Sequence, residues 1–192
     1  MTEKVTARTK FFYGIGDAGV ARLTATTQFF LLFFYTEIAR IDAALVGTAL
    51  MVGKLTWDAI NDPFFGYLSD RTRTRWGRRR PYLLFGAIPL ALVTWMLFSI
   101  PANLTGTAAF LVVLFSIRLF DTVHTLISIN YSALTPELTR DYDERTSLTT
   151  VREIFTVVGY IFGAAATTAI AGVFVNSFGW TDKAAYSGMG AV

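Results

Sequence analysis

The sequence predicts an all-α protein that crosses a membrane several times. Charged residues make up only 16% of its 192 residues and hydrophobic residues make up 53%, whereas soluble domains contain about 25% charged residues. Long apolar runs recur along the chain, and about 20 such residues in a helix cross the hydrocarbon core of a bilayer. No run alternates apolar and polar residues between turn signals, so the pattern favours helices over barrel strands.

The apolar runs predict five complete membrane spans and the start of a sixth. We expect the five spans near residues 11–37, 45–68, 82–100, 107–134 and 149–175, and the sixth from Ala184. The predicted organisation is a polar N-terminal segment of residues 1–10, followed by one helical bundle over residues 11–192. In this interpretation the chain ends within the sixth span.

Outside the predicted spans, lysine and arginine residues fall almost entirely on one side of the membrane. They lie before span 1 and in the connections at residues 70–81 and 137–145, and only Arg40 and Lys183 lie on the other side. Because short cytoplasmic loops are rich in Lys and Arg, we expect the N-terminus in the cytoplasm. The net charge of +3 then follows from topology, and no nucleic-acid partner is expected.

Several charged residues lie inside the predicted spans. A charge at the centre of a bilayer costs about 2.5–3.5 kcal/mol on insertion scales, so such residues usually mark a functional site. Five acids and four bases give a formal sum of −1, which one monovalent cation or one proton would cancel. These residues are Asp17, Arg22, Lys54, Asp58, Asp62, Arg118, Asp121, Arg152 and Glu153.

The densest polar group lies in span 2, in the sequence Trp-Asp-Ala-Ile-Asn-Asp-Pro. Asp58, Asn61 and Asp62 share one helical face because they are three and four residues apart. Pro63 has no N–H group, so one carbonyl of the preceding turn loses its hydrogen bond. These oxygen atoms suit a hard monovalent cation, and a proton shared by the two carboxylates could replace the metal ion. Alternatively, Lys54 one turn earlier neutralises Asp58, and the group is purely structural.

Polar residues also follow one side of span 4. His124 lies at the edge of this stripe, either as a neutral imidazole hydrogen-bonded to a neighbouring helix or as a proton relay. The Ser and Thr residues of the stripe either face a ligand or only contact neighbouring helices. The stripe, which advances in steps of three and four residues, consists of Arg118, Asp121, Thr125, Ser128 and Ser132.

Span 1 contains the sequence Gly-Ile-Gly-Asp-Ala-Gly, which has the glycine spacing of a dinucleotide-binding loop. Such a loop needs a preceding strand and a βαβ unit, so we interpret these glycines as sites of close helix packing. Arg22 points roughly 140° away from Asp17 around the helix. It either pairs with an acid of a neighbouring span or faces a substrate.

Together these motifs resemble a known transporter family. Residues 66–80 resemble the loop between spans 2 and 3 of the major facilitator superfamily. With the span 2 motif, they resemble the glycoside–pentoside–hexuronide:cation symporters. Further segments similar to this family are residues 13–17, 34–37, 131–138 and 141–146. The resemblance implies the N-terminal six-helix half of a transporter built from two halves, with five complete spans, the start of a sixth and no C-terminal half in this chain.

The resemblance also implies where a coupling ion binds. In the family, the motif of span 2 holds a monovalent cation, which places the ion at Asp58, Asn61 and Asp62. The hydroxyl of Thr125 in span 4 completes that site. No cofactor is implied besides the coupling ion, Na⁺ or H⁺, and the only metal ion expected at Asp58 and Asp62 is a monovalent one.

The chain departs from the family pattern at the sugar site. Ala21 and Ser128 occupy positions at which family members carry sugar-binding aspartates, and Ser132 replaces a tryptophan that stacks on the sugar. The resemblance places Arg152 near the sugar, and we expect a ligand other than a galactoside, such as an anionic sugar. The expected substrate-binding residues are Asp17, Arg22, Asp121, His124, Ser128 and Arg152.

The arginine-rich loop after span 2 has two interpretations. Its arginines either bind acidic groups or helix ends of the other half and stabilise one conformation, or they only set the topology. The residues expected to act in the conformational change are Gly66, Asp70, Arg71, Gly77, Arg78 and Arg79.

The function implied by the resemblance is secondary active transport and not enzyme catalysis. We expect cation-coupled symport of a sugar, glycoside or sugar acid by alternating access. The expected partners are the small-molecule substrate, the lipid bilayer of the cell (inner) membrane and the missing C-terminal half. Two alternatives are a cation-coupled lysolipid carrier of related fold and a non-transporting membrane scaffold.

Overall fold

The protein is built from helices. The computed structural model describes residues 4–101 and 104–191, apart from the side chains of Asp58 and Ala191, and no strand occurs in this part of the chain. One π-helical turn, Phe34–Ile38, continues the first helix. The α-helices are α1 (Ala7–Phe33), α2 (Ala43–Arg71), α3 (Arg80–Leu97), α4 (Gly106–Ser132), α5 (Thr135–Leu138), α6 (Tyr142–Phe178) and α7 (Asp182–Ala191).

Three stretches of the described chain are long and apolar enough to cross a membrane. They are α3, α6 and the stretch Gly106–Leu138, which comprises α4 and α5. The two arms of α2 together would make a fourth. Helix α1 covers most of the predicted first span but does not belong to this group. The all-α class is therefore confirmed, whereas five complete spans and the start of a sixth stay a prediction.

Polar caps make several helices longer than the predicted spans. The carboxylate of Asp42 accepts hydrogen bonds from the N–H groups of Ala44 and Leu45 at 2.9 and 3.2 Å and starts α2. Asp141 starts α6 in the same way, seven residues or so before the apolar run that predicts span 5. Gly179, with φ of 65°, ends α6 in the left-handed conformation that glycine adopts without a steric cost. Apolar runs thus locate the membrane-facing part of a helix, while caps fix its ends.

Helix α2 is bent where the predicted cation motif lies. Its arms Ala43–Trp57 and Ala59–Arg71 meet at 42°. Pro63 explains the bend, because it cannot donate a hydrogen bond to the carbonyl of Ala59 and its ring clashes with that group. The bend follows from the same proline that the sequence places within the motif.

Close packing of α1 against α6 depends on two glycines of α6. A Cβ atom at Gly159 would overlap the backbone of Ala18, and one at Gly163 would meet the backbone of Arg22 and the side chain of Ala25. The four-residue spacing of these glycines is the small-residue pattern that lets membrane helices approach closely. The sequence analysis did not use this signal, although it is visible in the sequence.

We expect the substitution Gly159→Val to destabilise the protein by about 1–3 kcal/mol, the usual cost of overpacking. Thermal unfolding of the purified protein in detergent, followed by circular dichroism, measures the effect. Gly172→Val is the matched control, because a Cβ atom at this position of α6 meets nothing within 4 Å. Equal unfolding temperatures for the two variants would show that α1 and α6 do not pack as described.

Candidate functional site

Helices α1, α2 and α4 line a cavity of about 630 Å³. Lys54 comes from α2, and Thr24, Thr27 and Gln28 come from α1. Five of the residues predicted to bind the cation or the substrate also lie here, namely Asp62, Asp121, His124, Thr125 and Ser128. The structure therefore brings the carboxylate of span 2 and the hydroxyl of span 4 to one cavity, as the sequence predicts.

The polar stripe of α4 divides between this cavity and a helix contact. Ser132 lines the cavity with the other stripe residues, whereas Arg118 lies against α2. The guanidinium of Arg118 donates to the Thr56 hydroxyl at 3.0 Å and lies 5.0 Å from the centre of the Trp57 ring. The indole N–H of Trp57 donates to the Thr122 hydroxyl at 2.8 Å. Arg118 therefore contributes to the contact between α2 and α4.

His124 is held by its neighbours on two sides. Its Nε2 atom lies 3.0 Å from the hydroxyl of Thr24 on α1. Its ring stacks on Phe120, with the ring centres 5.5 Å apart. This arrangement agrees with the interpretation of His124 as an imidazole hydrogen-bonded to a neighbouring helix, and it fixes the ring at the cavity wall.

The predicted cation residues of α2 have different surroundings. Asp62 is exposed and lines the cavity, whereas Asn61 is 5% exposed and its Nδ2 atom has no hydrogen-bond partner among the described residues. The side chain of Asp58 lies outside the described part of the structure. Of this predicted trio, the structure thus shows one carboxylate at the cavity and one buried amide with an unused donor.

Asp17 and Arg152 pair with each other between α1 and α6. Arg152 Nε lies 3.5 Å from Asp17 Oδ2, and Thr156 donates its hydroxyl hydrogen to the same carboxylate. Arg152 also contacts Glu153 at 3.2 Å. Neither residue of the pair lines the large cavity. The structure therefore gives these two predicted substrate residues a partner within the protein.

Arg22 belongs to a separate and more apolar cavity of about 450 Å³. Its walls come from α1, α3, α4 and the end of α7, and include Leu83, Leu90 and Ile127. The expected single substrate site is accordingly divided into three places. Asp121, His124 and Ser128 share the large cavity, whereas the Asp17–Arg152 pair and Arg22 lie apart from it.

A cluster of four charged side chains ties the loop after α2 to α5. Arg79 contacts Asp70 at 3.0 Å and Glu137 at 3.1 Å, and Arg78 contacts Glu137 at 3.1 Å. Two of the predicted loop arginines therefore bind acids of this chain. Glu137 was not a predicted site residue, because its distance to the loop depends on the turn into α5.

Three other predicted loop residues have local roles. Gly77 has a φ of 96°, a conformation that side-chain-bearing residues rarely adopt, and it turns the loop towards α3. The Arg71 guanidinium lies 4.4 Å from the centre of the Tyr67 ring. At Gly66, an added Cβ would meet no other part of the described structure within 4 Å apart from its own helix backbone, so packing within that part does not explain this glycine.

Replacing Arg79 with Gln should loosen this loop. Arg79 is 13% exposed and contacts both acids, but the acids are more exposed, so we expect a loss near 1 kcal/mol. Hydrogen–deuterium exchange of residues 72–79 should then accelerate about fivefold. Arg73→Gln is the matched control, since Arg73 is an exposed arginine of the same loop. An equal change in the exchange rate of both variants would show that the cluster does not stabilise the loop.

Comparison with known proteins identifies related transporters. A family model described as MFS/sugar transport protein matches residues 12–192. An uncharacterized symporter of Synechocystis is 46% identical over 83% of this chain and 30% of its own length. The isoprimeverose transporter of Lactiplantibacillus pentosus is 33% identical over 78% of this chain and 31% of its own. The sodium-dependent lysophosphatidylcholine symporter 1 of Gallus gallus is 31% identical over 91% of this chain and 33% of its own length.

These matches agree with the resemblance drawn from the motifs. The relatives are named as symporters or transporters, and the apolar helices fit an integral membrane protein. The family that matches is one of transport proteins and not of enzymes. The chain spans about a third of the length of these curated relatives. Its matched region covers nearly all of its residues, and it belongs to the MFS/sugar transport protein family, among the cation symporters of the major facilitator superfamily.

Proposed function

We propose that this chain forms the N-terminal part of a secondary active transporter. The transporter moves a sugar, glycoside or sugar acid together with Na⁺ or H⁺. The observation that supports this function best is the cavity of about 630 Å³, which gathers carboxylate, hydroxyl, amide and imidazole groups from three helices of a membrane protein. Polar groups at this depth are costly unless they serve a ligand or one another.

The coupling ion binds next to the bend of α2. Asp62 supplies a carboxylate at the cavity, Asp58 and Asn61 belong to the same motif, and Thr125 supplies a hydroxyl oxygen from α4. A carboxylate and neutral oxygens are the ligands that hard cations prefer. Ion binding neutralises the negative charge of the motif in α2. Because the substrate binds beside these residues, this change in charge alters the affinity for the substrate.

The substrate binds in the same cavity. The carboxylate of Asp121 accepts hydrogen bonds from the substrate hydroxyl groups, and the hydroxyl of Ser128 both donates and accepts them. The ring of His124 presents its edge to the substrate. Because ion and substrate affinities are linked, each ligand raises the affinity of the other by the same factor. A second half of the transporter covers the open side of the cavity and rocks against this half. The charged cluster around Arg79 stabilises one of the two conformations.

We also propose the orientation and surroundings of the chain. Residues 1–10 and the arginine-rich loop lie in the cytoplasm, because they carry most of the basic residues outside the helices. Residues 11–192 form the helical bundle within the cell membrane. The C-terminal half of the transporter is its principal protein partner.

Uptake by proteoliposomes tests the proposal. The protein is a full-length form, in which this chain continues through a second half. Radiolabelled glucose, xylose and methyl glucuronide are offered with an imposed Na⁺ gradient, an imposed H⁺ gradient or none. We expect one sugar to accumulate only with a gradient. Accumulation of lysophosphatidylcholine instead would favour the alternative of a lysolipid carrier, whose substrate would bind in the apolar cavity at Arg22. If the folded protein takes up neither a sugar nor lysophosphatidylcholine, that result would contradict a transport function.

A further inference from the structure

The large cavity contains a cationic group that the proposed ion site does not use. Lys54 of α2 is exposed and lines this cavity as well as an adjoining one of about 240 Å³. Among the described residues, no carboxylate forms an ion pair with its ammonium. An ammonium at membrane depth is costly without an anionic or hydrogen-bonding partner. At the cavity wall, Lys54 offers a partner for an anionic group of a ligand.

The junction of the two cavities surrounds Lys54 with hydrogen-bonding groups. Thr27, Gln28, Phe120 and Asp121 line both cavities, as Lys54 does. The junction thus offers one ammonium, one carboxylate, one amide and one hydroxyl beside an aromatic ring. Lys54 is also close enough to His124 for the two groups to interact electrostatically. A ligand placed here needs an anionic group for Lys54 and hydroxyl donors for Asp121.

The smaller cavity strengthens the attraction of Lys54 for an anion. Its remaining walls are aliphatic and consist of Leu31, Leu32, Leu50, Leu97 and Ile117. Apolar walls lower the effective dielectric constant, and a charge-assisted hydrogen bond is stronger there than in water. An anion that reaches this junction is therefore bound more tightly than one at an open surface.

The other intramembrane arginines are placed elsewhere. Arg152 contacts Asp17 and Glu153 outside the cavity, Arg118 lies on Trp57, and Arg22 lines the separate apolar cavity. Among the described residues that line the large cavity, Lys54 carries the ammonium group. The sequence led us to expect an anionic sugar near Arg152, whereas the ammonium that the structure describes at the large cavity belongs to Lys54 of α2.

We propose that Lys54 determines substrate specificity and that the preferred substrate is a sugar acid. Its carboxylate binds Lys54 Nζ, and its hydroxyl groups donate to Asp121. This proposal rests on the proposed transport function, which it makes specific. It predicts that a carboxylate at the end of the sugar ring contributes to affinity through one residue of α2.

Two sugars that differ only at this group test the proposal. Binding of methyl β-glucuronide and methyl β-glucoside to the full-length form is measured by calorimetry in saturating Na⁺ and at two values of pH. We expect the wild-type protein to bind the glucuronide about tenfold more tightly than the glucoside, as one charge-assisted hydrogen bond provides. Lys54→Gln should remove this preference, while Lys54→Arg should retain it.

A matched control and the wild-type comparison keep each outcome interpretable. Thr48→Ala lies on the same helix, where the Thr48 hydroxyl donates to the Ala44 carbonyl, and this variant should bind both sugars as the wild type does. Equal affinity of the wild type for the two sugars would overturn the proposal even if Lys54→Gln does not fold. Cation-coupled binding without a glucuronide preference would contradict only the role of Lys54. Absence of all sugar binding would contradict the transport function as well.

Discussion

Asp62→Asn will abolish cation-driven uptake while the protein still inserts and folds. Asp62 is the carboxylate of the α2 motif that the structure places at the cavity. The amide keeps the size of the side chain but loses the charge that stabilises a bound cation. Asp62 is exposed, so losing its charged contact costs about 1.5–3 kcal/mol, and we expect cation affinity to fall about ten- to a hundredfold.

Initial rates of Na⁺- and H⁺-driven uptake in proteoliposomes measure this effect. Asp143→Asn is the matched control, because Asp143 is an exposed acid in the first turn of α6 and does not line the cavity. Equal amounts of folded protein are verified by circular dichroism before the assay. Full stimulation of uptake by cations in the Asp62 variant would show that Asp62 does not bind the coupling ion.

Asp17→Asn should destabilise the protein strongly through its partner on α6. The side chains of Asp17 and Arg152 are 17% and 22% exposed, so the substitution leaves a partly buried guanidinium that keeps its contact with the exposed carboxylate of Glu153. Because the pair is partly exposed and Arg152 keeps one carboxylate, we expect a loss of about 1–3 kcal/mol. The Asn side chain can still accept the hydrogen bond from Thr156, which separates the loss of charge from the loss of that contact.

A double-mutant cycle identifies the pair as the cause. Asp17→Asn with Arg152→Gln should recover most of the lost free energy of unfolding, because the guanidinium is removed together with the carboxylate of Asp17. Glu153→Gln is the control, since the Glu153 side chain is 56% exposed and surface pairs contribute at most about 1 kcal/mol. Additive effects of the two substitutions would mean that Asp17 and Arg152 do not interact in the folded protein.

Periodicity predicted much of the candidate site because it depends only on the helix itself. The steps of three and four residues place Asp121, Thr125 and Ser128 on one side of α4, and all three line the cavity. Arg118 obeys the same spacing but contacts Trp57 of α2. Which part of a polar stripe faces a cavity depends on the rotation of neighbouring helices, and spacing carries no information on that rotation.

Pairings between distant helices were not predictable from local patterns. Asp17 and Arg152 lie on helices separated by more than a hundred residues, and their contact follows from the packing of α1 on α6. The glycines at 159 and 163 offered a signal for that packing. The capping residues Asp42 and Asp141 likewise indicated where helices begin. An intramembrane charge can therefore be located from sequence, while its partner is found only when the helix neighbours are known.

Reciprocal coupling between ion and substrate is the most direct test of cation-coupled transport. Calorimetry on the full-length form gives the Na⁺ affinity with and without methyl β-glucuronide, and the sugar affinity with and without Na⁺. We expect each ligand to raise the affinity of the other by one common factor, as thermodynamic linkage requires, and we expect Asp62→Asn to remove the effect. Sugar affinity that does not change with Na⁺, Li⁺ or pH in folded protein would contradict a cation-coupled symporter.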